Sequence, residues 1–330
     1  MKHRYFLIVF ALFCTLSSSA QDAIFSQFYA APLYMNPALA GAERCGRFSV
    51  NYRNQWAAIP GAFNSINASF DKYFDELSGA LGFIVTSNRE GNGSYATTNV
   101  GAIYSYIFQV NDDFSIQTAV QASFVNRYVD WNNLTFPSQF DPILGFNPSL
   151  PRENLPNTPT SKSYADFSTG IVGYSENFYA GFAVHHLSRP DEGFTEVYKL
   201  RMKYTVHAGA VIDLKPKQRR FREPNAPTLS PNIIYQQHGT SQQINYGVYA
   251  NLWPMVFGIW YRQTIAFNEP ESITFLIGIK HNALRLGYSY DLAVSNLYRV
   301  SGGSHELSVS YGLQCRAPRP KVKMINCPSF

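Results

Sequence analysis

Leu284-Arg-Leu-Gly-Tyr-Ser-Tyr-Asp291 and Glu306-Leu-Ser-Val-Ser-Tyr-Gly-Leu313 carry a large apolar residue at every second position. In the first stretch Leu284, Leu286, Tyr288 and Tyr290 alternate with Arg285, Gly287, Ser289 and Asp291. In the second, Leu307, Val309, Tyr311 and Leu313 alternate with Glu306, Ser308, Ser310 and Gly312. A period of two is the signature of a β-strand, whose successive side chains point to opposite faces. One such hairpin fits a soluble sheet. The same pattern recurs along the whole chain behind an export-type N-terminus, and the combination predicts an all-β transmembrane antiparallel barrel in an outer membrane.

The N-terminus sets the compartment. Lys2 and Arg4 precede an apolar run from Phe6 to Phe13, which is too short to span a bilayer, and Ser18-Ser19-Ala20 supplies small residues at −3 and −1. Residues 1–20 therefore read as a signal peptide cleaved before Gln21. Cys14 does not make a lipoprotein, since Phe13 stands where a lipobox needs a small residue. Removing Lys2 and Arg4 lowers the formal charge of +5 by two, a weak basic balance that argues against a nucleic-acid partner.

No later segment approaches the roughly 20 apolar residues of a membrane helix. Charged residues are 15% of the chain, below the roughly 25% of soluble domains. A barrel reconciles the two, with lipid on one face of each strand and polar residues on the other. The 25 Phe and 22 Tyr suit aromatic girdles at two membrane interfaces. A secreted β-sandwich is the competing all-β reading.

Strands are expected at 46–56, 62–73, 79–88, 97–109, 113–127, 163–174, 177–187, 201–213, 229–238, 243–252, 254–266, 272–280, 283–292 and 304–314. That makes about 14, an even number, as a single-chain bacterial barrel requires. Short Asn-, Asp-, Ser- or Pro-containing turns at 75–78, 110–113, 175–177, 251–254 and 281–282 would face the periplasm, with longer loops outside. The 214–228 connection breaks this asymmetry. It is long, falls on the short-turn side and holds Lys215, Lys217, Arg219, Arg220 and Arg222. Either a strand is miscounted there or a basic projection meets periplasmic partners. The 128–162 segment, with six prolines, reads either as a loop that plugs the lumen or binds a partner, or as a plain surface loop.

Several motifs occur in fixed order. They are Phe25-Ser-Gln-Phe28 through Met35-Asn-Pro-Ala-Leu-Ala-Gly41, Tyr52-Arg-Asn-Gln-Trp56, Pro60-Gly61, Gln237-His-Gly-Thr240, Tyr261-Arg262, Gly287-Tyr-Ser-Tyr-Asp291, Gly302-Gly-Ser-His-Glu306 and a terminal Cys327-Pro-Ser-Phe330. This set closely resembles the PorP/SprF family of outer-membrane proteins of the Bacteroidetes type IX secretion system, from about residue 25 to the end. The terminal tetrapeptide is closer to the SprF-type branch. The resemblance implies secretion or surface anchoring of large adhesins bearing a type IX sorting domain, as in gliding motility. It also implies contact with periplasmic secretion components. Periodicity alone implies only the barrel and its outer-membrane lipid.

An enzyme is not expected. His185-His186 lies at a strand end, where neighbours should face opposite sides and make a poor metal pair. No zinc-protease helix, nucleophile elbow or phosphate loop occurs in the sequence. A membrane hydrolase would need a Ser, a His such as His305 and an acid converging at the outer rim. No cofactor or metal is expected, and a passive porin with an open lumen is the alternative function.

The inward faces carry Arg47, Arg53, Gln55, Arg262, Lys280, Arg285, Asp291 and Glu306. Six of them (Arg47, Arg53, Arg262, Arg285, Asp291, Glu306) are expected to form a lumenal charge network, with Arg47 and Arg53 near the face that carries Glu306 once the first strand meets the last; a polar lumen that passes or grips a segment of a partner is the alternative. The same closure would bring Cys45 within disulfide reach of Cys315 or Cys327 at the periplasmic rim. The organisation expected is a signal peptide at 1–20, a plug or periplasmic segment at 21–44, the barrel at 45–314 and a periplasmic tail at 315–330. The aromatics of 21–44 favour a periplasmic-side plug in the lumen.

Overall fold

The computed structural model describes residues 22–111, 113–141, 145–147, 149–150, 158–214, 226–265, 269–294 and 298–313. The expected signal peptide at 1–20, the basic positions Lys215, Lys217, Arg219, Arg220 and Arg222, and the tail with Cys315 and Cys327 lie outside them.

Fourteen strands form the wall: β1 (Arg47–Gln55), β2 (Phe63–Phe74), β3 (Gly79–Glu90), β4 (Tyr95–Gln109), β5 (Ser115–Val129), β6 (Ser161–Tyr174), β7 (Phe178–His185), β8 (Lys203–Ala210), β9 (Thr228–His238), β10 (Ser241–Leu252), β11 (Met255–Thr264), β12 (Glu269–His281), β13 (Leu284–Ala293) and β14 (Ser304–Gly312). Each pairs antiparallel with its neighbours in sequence, and the sheet closes on itself. β1 meets β14 from Arg47↔Gly312 to Gln55↔Ser304, and the Leu313 amide donates to the Gly46 carbonyl at 2.7 Å. β8 pairs with β9 from Lys203↔His238 to Gly209↔Asn232. The strand count holds across the basic connection, so 214–228 leaves the short-turn end of the barrel. A sandwich is excluded by the closed ring.

Burial runs opposite to a water-soluble fold. Along β13, Leu286 and Tyr288 are 43% and 39% exposed, while Ser289 and Asp291 are 0% and 3% exposed. Phe48, Phe83, Val120, Ile259 and Val309 also project outward, the pattern of a lipid-facing surface. Tyr106, Phe108, Phe178 and Trp253 stand outward near the short-turn end, and Tyr52, Tyr128, Tyr204 and Tyr246 towards the other. No helix among the described residues is long and apolar enough to cross a membrane.

Two connections at the loop end are shorter than the sequence suggests. β3 and β4 are joined through Gly91–Gly93, and β9 and β10 by two residues, because the strands extend further in both hairpins. The long loop narrows to 130–160. Its only described pairing joins Phe140–Asp141 to Gly145–Phe146.

The apolar core sits inside the barrel and is built on residues before β1. Phe28, Tyr29, Leu33, Met35, Leu39 and Ala40 pack against Ile84, Ile103, Val172, Ile234, Tyr249 and Trp260 of the wall. Pro32–Met35 forms one helical turn, α1, and a 3-10 turn, Pro37–Leu39, follows. Asn36 separates them, and its side chain accepts a hydrogen bond from the Ala38 amide at 2.9 Å with Pro37 next in the turn. Asn-Pro-Ala is thus a capped turn start, with the missing proline donor where a helix leaves donors unpaired anyway.

Candidate functional site: a filled lumen and the vestibule above it

Residues 22–44 run the length of the barrel interior. Arg44 lies at the short-turn end, where it pairs with Asp75 at 2.5 Å. Asp22 lies at the loop end, beside His186 just past β7. The segment is therefore not confined to the short-turn side, as the sequence had suggested. Its hydrophobic residues need burial along the full height of the wall.

Three polar contact regions hold it. At the short-turn end Arg47 donates to both oxygens of Asp71, at 3.0 and 3.2 Å, and the Gly41 amide donates to the same carboxylate at 2.7 Å. Glu43 bridges Arg47 at 3.7 Å and pairs with Arg285. Burial opposes a charged Glu43, but Arg47 and Arg285 outweigh it and hold its carboxyl below the usual range.

The second region lies higher. Arg53, opposite Glu306 in the β1–β14 register, reaches Glu306 at 3.3 Å and Asp291 at 2.7 Å. Ser26 sits at its centre. Its Oγ accepts from Arg53 at 2.8 Å and Arg262 at 2.9 Å and donates to Asp291, while its amide donates to Glu306 at 2.7 Å. Gln27 adds bonds from its amide to Glu306 at 3.2 Å and from Nε2 to the Glu306 carbonyl at 2.9 Å. Ser308 donates to Gln27 Oε1. Ser-Gln-Phe is the piece of the inner segment that the charged wall grips, and Phe28 follows against Trp260 with ring centroids 5.1 Å apart.

The six expected network residues thus fall into two groups. Arg53, Arg262, Asp291 and Glu306 converge on Ser26. Arg47 and Arg285 meet Glu43, about 20 Å away along the strand, since Arg47 and Arg53 are six positions apart. The register sets Arg53 opposite Glu306 and Arg47 opposite Gly312 on the same pair of strands. Lys280 donates to Asn251 at 2.9 Å, and Gln55 borders the upper cavity.

The third region anchors Asp22, which meets His186 at 3.0 Å and Lys203 at 3.3 Å, while the other ring nitrogen of His186 meets Asp166 at 2.7 Å. His185 and His186 do not face opposite sides. His186 has φ +61, which takes it off the strand and turns its ring inward. Burial opposes an imidazolium, but Asp22 and Asp166 outweigh it and raise His186 to about 10. Asp22 sits well below the usual carboxylate range, burial being outweighed by His186 and Lys203. Ser188 also bonds Asp166, at 2.9 Å. With both His186 nitrogens on carboxylates, this cluster is an ion-paired anchor and offers no base to a serine. His305 lies by Tyr288, its Nδ1 2.8 Å from the phenol oxygen. Among the described residues no group of His, Cys, Asp and Glu could hold a metal.

The signs of the shifts set a pH window. Asp22, depressed, contributes above its ordinary value of 3.8, and His186, raised, contributes fully below 6.5 and loses its part as pH passes about 10. A spin label on Ala23→Cys should stay immobile from about pH 5 to about pH 8 and loosen above 10. His186→Gln should loosen it already at neutral pH. A label equally immobile in both proteins at every pH would count against the anchor.

The wall is shaped to this occupant. A Cβ added at Gly170 would lie 2.0 Å from Asn36 Oδ1, the atom that caps the Pro37 turn. Gly170→Ala should destabilise the filled barrel by roughly 1–3 kcal/mol, read as a lower urea midpoint in lipid vesicles. Asn36 Nδ2 also approaches His207 Nε2 at 3.1 Å and donates to the Ile171 carbonyl at 3.3 Å.

Above the filled lumen the loop end opens into a vestibule of about 530 Å³ floored by Asp22, Ala23 and Ile24. Trp56 stands on its rim, its amide bonded to the Gly303 carbonyl at 3.0 Å. Gly302 and Gly303 have φ of +66 and +70, and a Cβ at Gly302 would meet Ala58 at 2.7 Å. Tyr-Arg-Asn-Gln-Trp and Gly-Gly-Ser-His-Glu are therefore two sides of one junction, the seam where the barrel closes.

Those motifs and that seam coincide with a known family: residues 17–311 match the type IX secretion system membrane protein PorP/SprF. The chain belongs to that family. This PorP/SprF protein is thus a type IX secretion membrane barrel, in contact with lipid and with its secretion system. No curated relative matches it. Among solved structures it is similar to the P. putida toluene transporter TodX, at 9% identity over 85% of this chain and 93% of that one, with a TM-score of 0.48. It is also similar to Acinetobacter baumannii Omp33, at 7% identity over 82% and 98%, with a TM-score of 0.46. A KdgM porin gives 9%, 81% and 99%, with a TM-score of 0.38.

Glu43, Asp71 and Asp166 do not stand out in the sequence, Ser26, Gln27 and Asn36 do so only within the family motifs, and His186 only as half of a poor metal pair. Asp71, alternating inward on the second strand, was the readable one. Cys45 is disulfide-bonded, while Cys315 and Cys327 lie outside the described residues.

Proposed function

We propose that this PorP/SprF protein works by contact rather than conduction, supporting secretion or surface anchoring of large adhesins of the gliding-motility type. The observation that carries the reading is the filled lumen. Residues 22–44 occupy it from end to end, gripped by Ser26, Gln27 and Asp22. A barrel filled in this way would leave nutrients no wide aqueous path among the described residues, which would put its work at its two ends. The loop end would hold a secreted partner with a type IX sorting domain. The basic 215–222 connection and the tail from residue 315 would meet periplasmic components. Residues 1–20 serve as the export signal, and residues 45–314 form the barrel.

Deleting the gene should abolish surface display of one or a few large proteins, seen in the surface proteome, with small-solute permeability unchanged. Normal display with reduced uptake of a small nutrient would establish the porin reading instead.

A further inference from the structure

We infer that the vestibule is a binding site for a neutral saccharide. Its wall is a ladder of small hydroxyl and amide side chains, Ser65, Thr86, Asn88, Thr97 and Asn99, set on neighbouring strands. The Oδ1 atoms of Asn88 and Asn99 are buried without a hydrogen-bond partner, so a rotation of either amide toward the cavity would offer a ligand hydroxyl an acceptor with no protein bond to break. Beside the ladder stands an aromatic rim. Trp56 holds φ +61, a conformation rarely tolerated by a bulky residue, and packs edge-on against Phe63 with ring centroids 5.2 Å apart. A strained backbone that presents an indole over a polar wall provides a stacking face for the C–H side of a sugar ring, beside amides for its hydroxyls.

The charges around the cavity select against an ionic ligand. Arg127 is committed to Glu192 and lies over the Tyr95 ring at 5.0 Å, and Asp22 is committed to His186 and Lys203. Arg89 and Glu90 are adjacent and opposite in sign. An extended peptide is also disfavoured. Its usual mode of binding to a sheet is strand addition, and the strands lining this cavity are paired on both sides in a closed ring. The volume, about 530 Å³, lies within the usual range for small-molecule sites. The sugar's source is either free saccharide or the polysaccharide of the cell's own surface.

The test is calorimetric titration of the full-length barrel in detergent. The probes are cellotetraose, maltotetraose, mannotetraose, N-acetylchitotetraose, O-polysaccharide released from the producing cells, an acidic hyaluronan tetrasaccharide, and a neutral Ser/Thr/Asn dodecapeptide. At least one neutral glycan should bind, and the O-polysaccharide arm tells the two sources apart. Trp56→Ala and Asn99→Leu should each weaken that binding about tenfold or more, the effect of one lost stacking or hydrogen-bonding group. Trp253→Phe, at the opposite end, should not. Heat-shifted mobility on gels verifies that each variant is a folded barrel. The inference is overturned if no glycan binds, if only the acidic glycan or the peptide binds, or if both vestibule variants bind as the parent does. Surface display in the gene deletion is read separately, so the secretion role and the saccharide site stand or fall independently.

Discussion

Joining residues 1–21 directly to Gly41, so that residues 22–40 are gone, should convert a silent barrel into a conducting one. Eight strands leave an interior that side chains just fill, whereas sixteen to eighteen leave an aqueous channel. Fourteen strands stand near the second case, and here the space is taken by Phe28, Tyr29, Leu33, Met35 and Leu39. The variant keeps Asp71 with Arg47 and all fourteen strands, so it should still show the heat-shifted mobility of a folded barrel. In planar bilayers it should give stepwise ion currents absent from the parent. Parent protein that conducts as well as the variant would remove the main support for a contact role.

A second large effect is expected at the Ser26 cluster. Glu306 is fully buried and accepts from the Ser26 amide, the Gln27 amide and Arg53. Glu306→Leu leaves two backbone donors unpaired and shifts the whole Arg53 charge onto Asp291. Breaking a buried ion pair from one side costs about 3–5 kcal/mol, visible as a lower urea unfolding midpoint in lipid vesicles. Arg285→Ala is the comparison. Its partner Glu43 keeps Arg47, and both side chains of that pair are about a fifth exposed, so the cost should be about 1 kcal/mol or less. Equal costs for the two variants would mean that the inner segment is not held at Ser26.

The wall was readable because lipid demands a strict alternation, and each of the fourteen expected segments overlaps a strand of the ring. Ends moved where regular pairing stops early. The segment expected at 201–213 is regular over Lys203–Ala210, breaks at Val211, and pairs again where Ile212 and Asp213 meet Leu229 and Thr228 of β9. The site was less readable, because a period of two assigns a face but not a height or an angular position. Arg47 and Arg53 share a face and were grouped, yet the register sends one to Asp71 and the other to Glu306. The inward turn of His186 depends on one backbone angle that pattern cannot convey. Burial of 21–44 followed from its aromatics, whereas its reach to the loop end depends on Asp22 meeting a His186–Lys203 pair assembled from two other strand ends.

The grip on Ser26 and Gln27 also constrains the order of assembly. Their partners Ser289, Asp291, Glu306 and Ser308 lie between 262 and 281 residues further along the chain. Synthesis delivers the occupant first and its holders last. The strand that seals the wall, β14, is also one that grasps the occupant, so sealing and filling coincide. A wide empty pore is then not a required stage on the route to the finished molecule, and the membrane can acquire this barrel without passing through a leak.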